Sequence, residues 1–235
     1  MTADDRILIV NADDFGLSPG VNRGIVETHR HGIVTSTSAL VRPAAAIESA
    51  QLARDFPQLS VGLHVDLGEW VYHLGEWHTR YEVVPLSAGP ALVESEVRRQ
   101  LAAFIEIFGR PPTHLDSHQH LHRHEPLRSI MRRLAAELRV PLRHEDARIR
   151  HCGGFYGQTR NAEPFPDGIS VESLTRLLNS LAPGITEMGC HPGLGECDGS
   201  SYAQERECEV RTLCHPQIRN VLEQGRIQLR SFTET

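Results

Sequence analysis

The chain has 235 residues, 40% of them hydrophobic and 23% charged, and a formal net charge of −6 with histidine taken as neutral. That length suits one α/β domain spanning 1–235 with a core to bury, and an acidic balance with scattered basic residues argues against a nucleic-acid surface. No apolar segment approaches a membrane span, and the polar N-terminus leads straight into a strand without a signal-peptide pattern, so a cytoplasmic location is expected.

Ile7-Leu8-Ile9-Val10 is an apolar run of the kind found in buried parallel strands, and it ends in Asn11-Ala12-Asp13-Asp14-Phe15-Gly16. Two adjacent acids at a strand end repel one another and resist desolvation, so they call for a cation or a shared proton; as a bare motif they also suit a solvated turn. Ser18 and Pro19 make an N-cap and a first helical position, and the helix runs to about His31 before Gly32. A second strand is predicted over 34–41, a helix over 44–56 stopped by Pro57, and a third strand over 59–67 carrying His64 and Asp66. Residues 68–90 hold Trp70, Tyr72, Trp77 and Tyr81 without clear periodicity and read as a loop or lid. A helix over 95–108 ends at Gly109, and a strand over 113–117 leads into a histidine cluster. The rest reads as a helix over 127–138, a short strand over 140–143, a long Gly- and Pro-rich loop over 152–168, a helix over 170–181, a strand over 185–190, helices over 203–214 and 218–224, and a strand over 227–232. Strands alternating with helices predict an irregular TIM-like (β/α) barrel, with its site at the strand C-termini.

Five cysteines, Cys152, Cys190, Cys197, Cys208 and Cys214, are odd in number and form no Cys-x-x-Cys pair, which suits free thiols. Histidine is the unusual count, 14 in all, with five crowded between His114 and His124. Acids and histidines recur at four strand ends: Asp13 and Asp14, His64, Asp116 with His118, and His191. In a barrel those ends converge, and two imidazoles with one carboxylate suit a catalytic divalent ion, leaving a second carboxylate as a base. Polar groups at every second position from His114 to His124 would share one face of an extended chain, of which His118 is best placed at the strand end. His120, His122 and His124 are candidates for groups supporting the ligands, for substrate contacts or for surface residues.

Four ordered motifs carry a resemblance: the stretch from Arg6 to Glu27, Gly62-Leu63-His64, Thr113 to His120, and Cys190-His191-Pro192. With Val34 to Thr37, and Arg206 and Glu209 near the C-terminus, the chain resembles the YdjC/ChbG family of carbohydrate deacetylases; residues 68–90 depart from that pattern. The resemblance implies an irregular TIM-like barrel, a divalent metal held by Asp14, His64 and His118, and hydrolysis of an N-acetyl group on an amino sugar of the chitooligosaccharide type. It favours magnesium, although one Asp and two His also accept zinc or manganese.

Amide hydrolysis then needs a base for water, Asp13, and a proton donor for the leaving amine, His191. Asp116 and Glu187 are candidates to orient His118 and His191, and Arg143 to bind a sugar hydroxyl or an anionic substituent. Two other classes compete: a metal- or sugar-binding barrel without turnover, and a non-haem iron oxygenase built on His64-x-Asp66 with a distant histidine. A homodimer is the default assembly.

Overall fold

In the computed structural model, which describes residues 5–73, 75–195 and 202–234, the apolar run after Arg6 becomes the central strand of a parallel sheet. Cys197 and residues 1–4 lie outside the described residues. Strand β1 (Arg6–Phe15) is buried from Ile7 onward, as expected of a strand covered on both faces. It pairs in parallel with β2 (Ser36–Ala39) and β8 (Gly184–Cys190), and its first residues with β9 (Ile227–Leu229). Outward lie β3 (Ser60–Val65) and β6 (Leu115–Ser117) on one side and β7 (Ile149–Cys152) on the other, giving the order β6-β3-β2-β1-β8-β7. Helices flank this curled sheet, a half-barrel of the irregular TIM-like class. Since every pairing in it is parallel, the C-terminal ends of β1, β3, β6 and β8 open on one side.

The helices form where capping and spacing predict them. In α1 (Pro19–His31) the Ser18 side chain accepts from the Val21 N–H at 3.2 Å, with Pro19 at the first position. The helix α4 (Leu127–Leu138) buries Leu127, Ile130, Met131 and Leu134 on one stripe. The others are α2 (Ala46–Asp55), α3 (Pro90–Phe108), α5 (Val171–Asn179), α6 (Ala203–Leu213) and α7 (Pro216–Gln224).

Three expectations are corrected. Residues 68–90 are not an irregular lid: β4 (Gly68–His73) and β5 (Glu76–Glu82) pair as an antiparallel hairpin, followed by a 3₁₀ turn at Leu86–Ala88. Strand β5 is largely exposed and β4 mostly half-buried, with neither in the core, so no alternation of polar and apolar residues advertises the hairpin. Residues 140–143 form no strand, only a bridge between Leu142 and Leu115, whereas Ile149–Cys152, hidden among polar residues, does. The histidine cluster is not extended either. After β6 the chain folds into a 3₁₀ segment, His118–Arg123, with Gln119 and His120 at positive φ, so its side chains fan out instead of sharing a face.

Candidate active site

The two carboxylates of β1 diverge because the backbone turns between them. Asp14 has φ +73, and the register with β2 shifts between Ala12 and Phe15. A β-bulge of this kind re-aims side chains at a strand end. Gly16, at φ +93, completes the exit, and its N–H donates to Asn22 Oδ1 on α1 at 2.7 Å.

Asp14 is buried. Its Oδ2 accepts from Arg206 Nη2 at 2.7 Å, while Oδ1 has no hydrogen-bond partner and lies 3.2 Å from His118 Nδ1 and 3.7 Å from His64 Nε2. Burial alone would raise this carboxyl, but the Arg206 guanidinium and then His118 hold it well below the usual range. His64 faces Asp116 across the β3–β6 register, and its Nδ1 meets Asp116 Oδ1 at 2.8 Å, which turns Nε2 towards Asp14. Burial disfavours a charged His64, yet the Asp116 carboxylate beside it, helped by Asp13 and Asp14, wins and pushes the ring up to about 9.

Asp13 occupies the other branch. Its Oδ1 accepts from Asn11 Nδ2 and Arg143 Nη1, both at 2.7 Å, and Oδ2 lies 3.8 Å from His191 Nε2. Arg143 is fully enclosed: beyond Asp13 it bonds Asp116 Oδ2, and its Nε and Nη2 reach Glu187 Oε1 at 2.8 and 2.6 Å. Burial disfavours ionised Glu187, but Arg143 holds its carboxyl far below the usual value. The expected partnerships are therefore redrawn. Asp116 orients His64 and not His118, Glu187 serves Arg143 and lies 3.6 Å from His151 instead of orienting His191, and Arg143 is a buried hub whose donors are directed at carboxylates.

His191 follows β8, and burial pushes its ring below the ordinary imidazole value. Its backbone N–H donates to Glu209 Oε2 and its carbonyl accepts from Arg206 Nη1 at 3.2 Å. Glu209, which burial pushes up to about 7, also accepts from the Tyr202 hydroxyl at 2.6 Å. Arg206 and Glu209 hold the site from α6, whose buried face carries Glu205, Arg206, Glu209 and Thr212. A search for apolar residues at helical spacing misses such a face; the sequence marks Arg206 and Glu209 through the family resemblance alone and gives them no role. Ser38, by contrast, was missed. Its hydroxyl donates to Asp116 Oδ2 at 3.0 Å and accepts from Asn11 Nδ2 at 2.9 Å.

Of the remaining cluster, His114 is a core residue under Gly62, where an added Cβ would strike the imidazole at 2.5 Å. His122 is fixed between Ser117 and the Arg143 carbonyl, and His120, His144 and His151 pack against one another. Asp66 turns away from His64 to Arg42 at 3.0 Å and the Gly68 N–H, which removes the carboxylate that the oxygenase reading requires.

Among the described residues, two groups could hold a cation: Asp14, His64 and His118, or Asp13, His64 and Asp116, with ligand atoms within 4.8 Å of one another. In the second group both acids already bond the Arg143 guanidinium, which would face the ion. The first offers an unpartnered buried carboxylate oxygen and an imidazole nitrogen turned towards it, and it fits a divalent ion better. Asp13, Asp14, His64 and His118 floor a cavity of about 910 Å³, also lined by Trp70, Trp77, Tyr156, His191 and Tyr202, whereas Asp116 lies beneath it.

Comparison with known proteins agrees with this architecture. The sequence profile of the YdjC-like protein family matches residues 7–224. A carbohydrate deacetylase of Brevibacillus brevis strain 47 is 34% identical over 97% of this chain and 98% of its own. A chitooligosaccharide deacetylase of Serratia marcescens is 32% identical over 98% and 99%. A crystal structure from Enterococcus faecalis V583, described provisionally as a cellobiose-phosphate cleavage protein, superposes with TM-score 0.79 at 26% identity, covering 98% of each chain.

Proposed function

The chain belongs to the YdjC-like protein family, and on that premise we propose that it is a hydrolase that removes the acetyl group from an N-acetylated amino sugar of the chitooligosaccharide type, releasing acetate. The observation that carries this reading is the buried Asp14 Oδ1, without a hydrogen-bond partner beside His64 and His118, next to the Asp13–His191 pair in one cavity. Asp14, His64 and His118 would hold a divalent ion, magnesium first, with zinc and manganese as alternatives. The field that keeps a proton on His64 up to about 9 would favour such a cation in the proton's place. When bound, the ion supplies polarisation of the acetyl carbonyl and a water of lowered pKa.

The chain's own groups do the rest. Asp13, with Oδ1 fixed by Asn11 and Arg143, directs Oδ2 at the proton that the attacking water gives up. His191, held below the ordinary imidazole value by burial, receives across the 3.8 Å gap the proton that Asp13 takes from the water and passes it to the leaving amine, which leaves Asp13 ionised and the ring neutral again. Arg206 holds both the Asp14 carboxylate and the His191 carbonyl, so it sets the two halves of the site relative to each other. The test is acetate release from N-acetylglucosamine, chitooligosaccharides and their phosphorylated forms with each metal. His64→Ala and His118→Ala should lose bound metal and activity together, and full turnover in a demonstrably metal-free preparation contradicts the metal assignment.

A further inference from the structure

The chain has two tryptophans, Trp70 and Trp77, and the β4–β5 hairpin carries both of them into the lining of the cavity above the acid–histidine centre. Trp77 is 62% exposed, and a large ring left in solvent at a cavity mouth invites a ligand. Its position is not left to chance: Tyr72, directly opposite on β4, meets it edge-on at 5.4 Å between centroids. The root of the hairpin is held by Gln119, whose Oε1 accepts from the Trp70 N–H at 3.0 Å and whose Nε2 donates to the Trp70 carbonyl at 2.8 Å. Gln119 directly follows His118, so the aromatic wall is tied one residue away from the centre. Trp77 lies towards the hairpin tip, further out.

Flat apolar faces rimmed by hydrogen-bonding groups, here Glu69, Arg80 and Gln119, match a pyranose ring, which presents C–H bonds on its faces and hydroxyls at its edge. A purely apolar occupant would strip water from the Glu69–Arg80 ion pair, 3.2 Å apart, and offer it no hydrogen bond in exchange. A cavity of about 910 Å³ also stands near the upper end of the roughly 300–1,000 Å³ usual for small ligands, more than one sugar ring needs. Resting on the deacetylase reading, we infer that the hairpin is an oligosaccharide platform, on which a second pyranose stacks against Trp77 while the acetylated ring lies over Asp13, Asp14 and His191. The enzyme then prefers substrates of at least two sugar units.

Because the two tryptophans are both on the hairpin, intrinsic fluorescence reports on the platform independently of turnover. In Asp13→Asn protein, chitotriose should perturb the emission at concentrations on the order of tenfold lower than N-acetylglucosamine. Trp77→Ala should abolish most of that difference, with Trp70 still reporting, and Trp77→Phe should retain most of it. In the active protein, the ratio of kcat/KM for acetylated trisaccharide to monosaccharide should fall on the order of tenfold in Trp77→Ala, chiefly through KM. An unchanged ratio, or equal binding of mono- and trisaccharide, overturns the platform even if acetate is released. A binding preference that depends on Trp77 without acetate release from any sugar leaves the platform standing and overturns the deacetylase reading.

Discussion

At the scale of single residues, the site depends on two neighbouring carboxylates being made unlike. Asp13 is oriented by Asn11 and Arg143, and Asp14 by Arg206, because the backbone between them turns through a positive φ. Asp13→Asn should keep its metal and lose on the order of 10²- to 10⁴-fold in kcat, and His191→Ala should do the same. Asp14→Asn should instead weaken metal binding first, with activity partly recovered at high metal concentration. Metal content and kcat of the three variants decide the roles, and loss of the ion from Asp13→Asn with retention in Asp14→Asn reverses them. Arg143 makes a separate case, since it faces Asp13, Asp116 and Glu187 from a fully buried position. Arg143→Leu removes the cation shared by these three buried carboxylates, leaving Asp13 with Asn11 and Asp116 with His64 and Ser38, and should cost about 3–5 kcal/mol in chemical denaturation. A loss confined to KM at unchanged stability would return Arg143 to a substrate-binding role.

At the scale of elements, each piece of the site arrives on a strand end or a capped helix. The start of α1 fixes the exit of β1: Ser18 caps it, and Asn22 receives the Gly16 N–H and donates to Glu48 on α2 at 2.8 Å. Ser18→Ala should lower stability by about 1 kcal/mol, read from the urea midpoint at unchanged slope. The hairpin obeys different physics. Two strands without a covered face are marginal by themselves, and the Gln119 clamp on Trp70 compensates. Helix α6 joins the site through a buried charged face, with Arg206 and Glu209 one turn apart on it.

At the scale of the whole molecule, buried histidines tie stability to pH. Burial pushes His114 to about 3, His122 to about 4 and His144 to about 3, all below the ordinary 6.5. A group depressed in the folded state lends stability that is complete above its unfolded value and lost as pH falls towards its folded one. Asp14 and Asp116, held low by Arg206 and by His64 with Arg143, act in the same direction further down, their contribution lost as pH falls below about 3.8. His64 runs the other way: raised to about 9, its contribution is complete below 6.5 and fades as pH rises to about 9 in metal-free protein. The melting temperature of the metal-free protein should therefore drop steadily from pH 6.5 to pH 4, and a flat profile there would contradict the neutral, buried state of the three histidines. No described helix is long and apolar enough to cross a membrane.

Local chemistry alone was enough for much of this. The buried central strand follows from Ile7 to Val10, the start of α1 from Ser18-Pro19, the extent of α4 from its apolar spacing, and the presence of acids and histidines at strand ends from their recurrence in sequence. Those features are set within a few residues by burial period, capping and backbone geometry. The tertiary structure alone decided who pairs with whom. Asp116 and His64 meet only because β6 lies beside β3, and Arg143 joins Asp13, Asp116 and Glu187 from three strands. Arg206 reaches Asp14 across most of the chain. Such pairings depend on strand order and on the curl of the sheet, which no local pattern encodes. The solvated hairpin went unread for a related reason: with neither face in the core, its residues carry no periodicity, and the parts it holds over the cavity are defined by what lies beneath them.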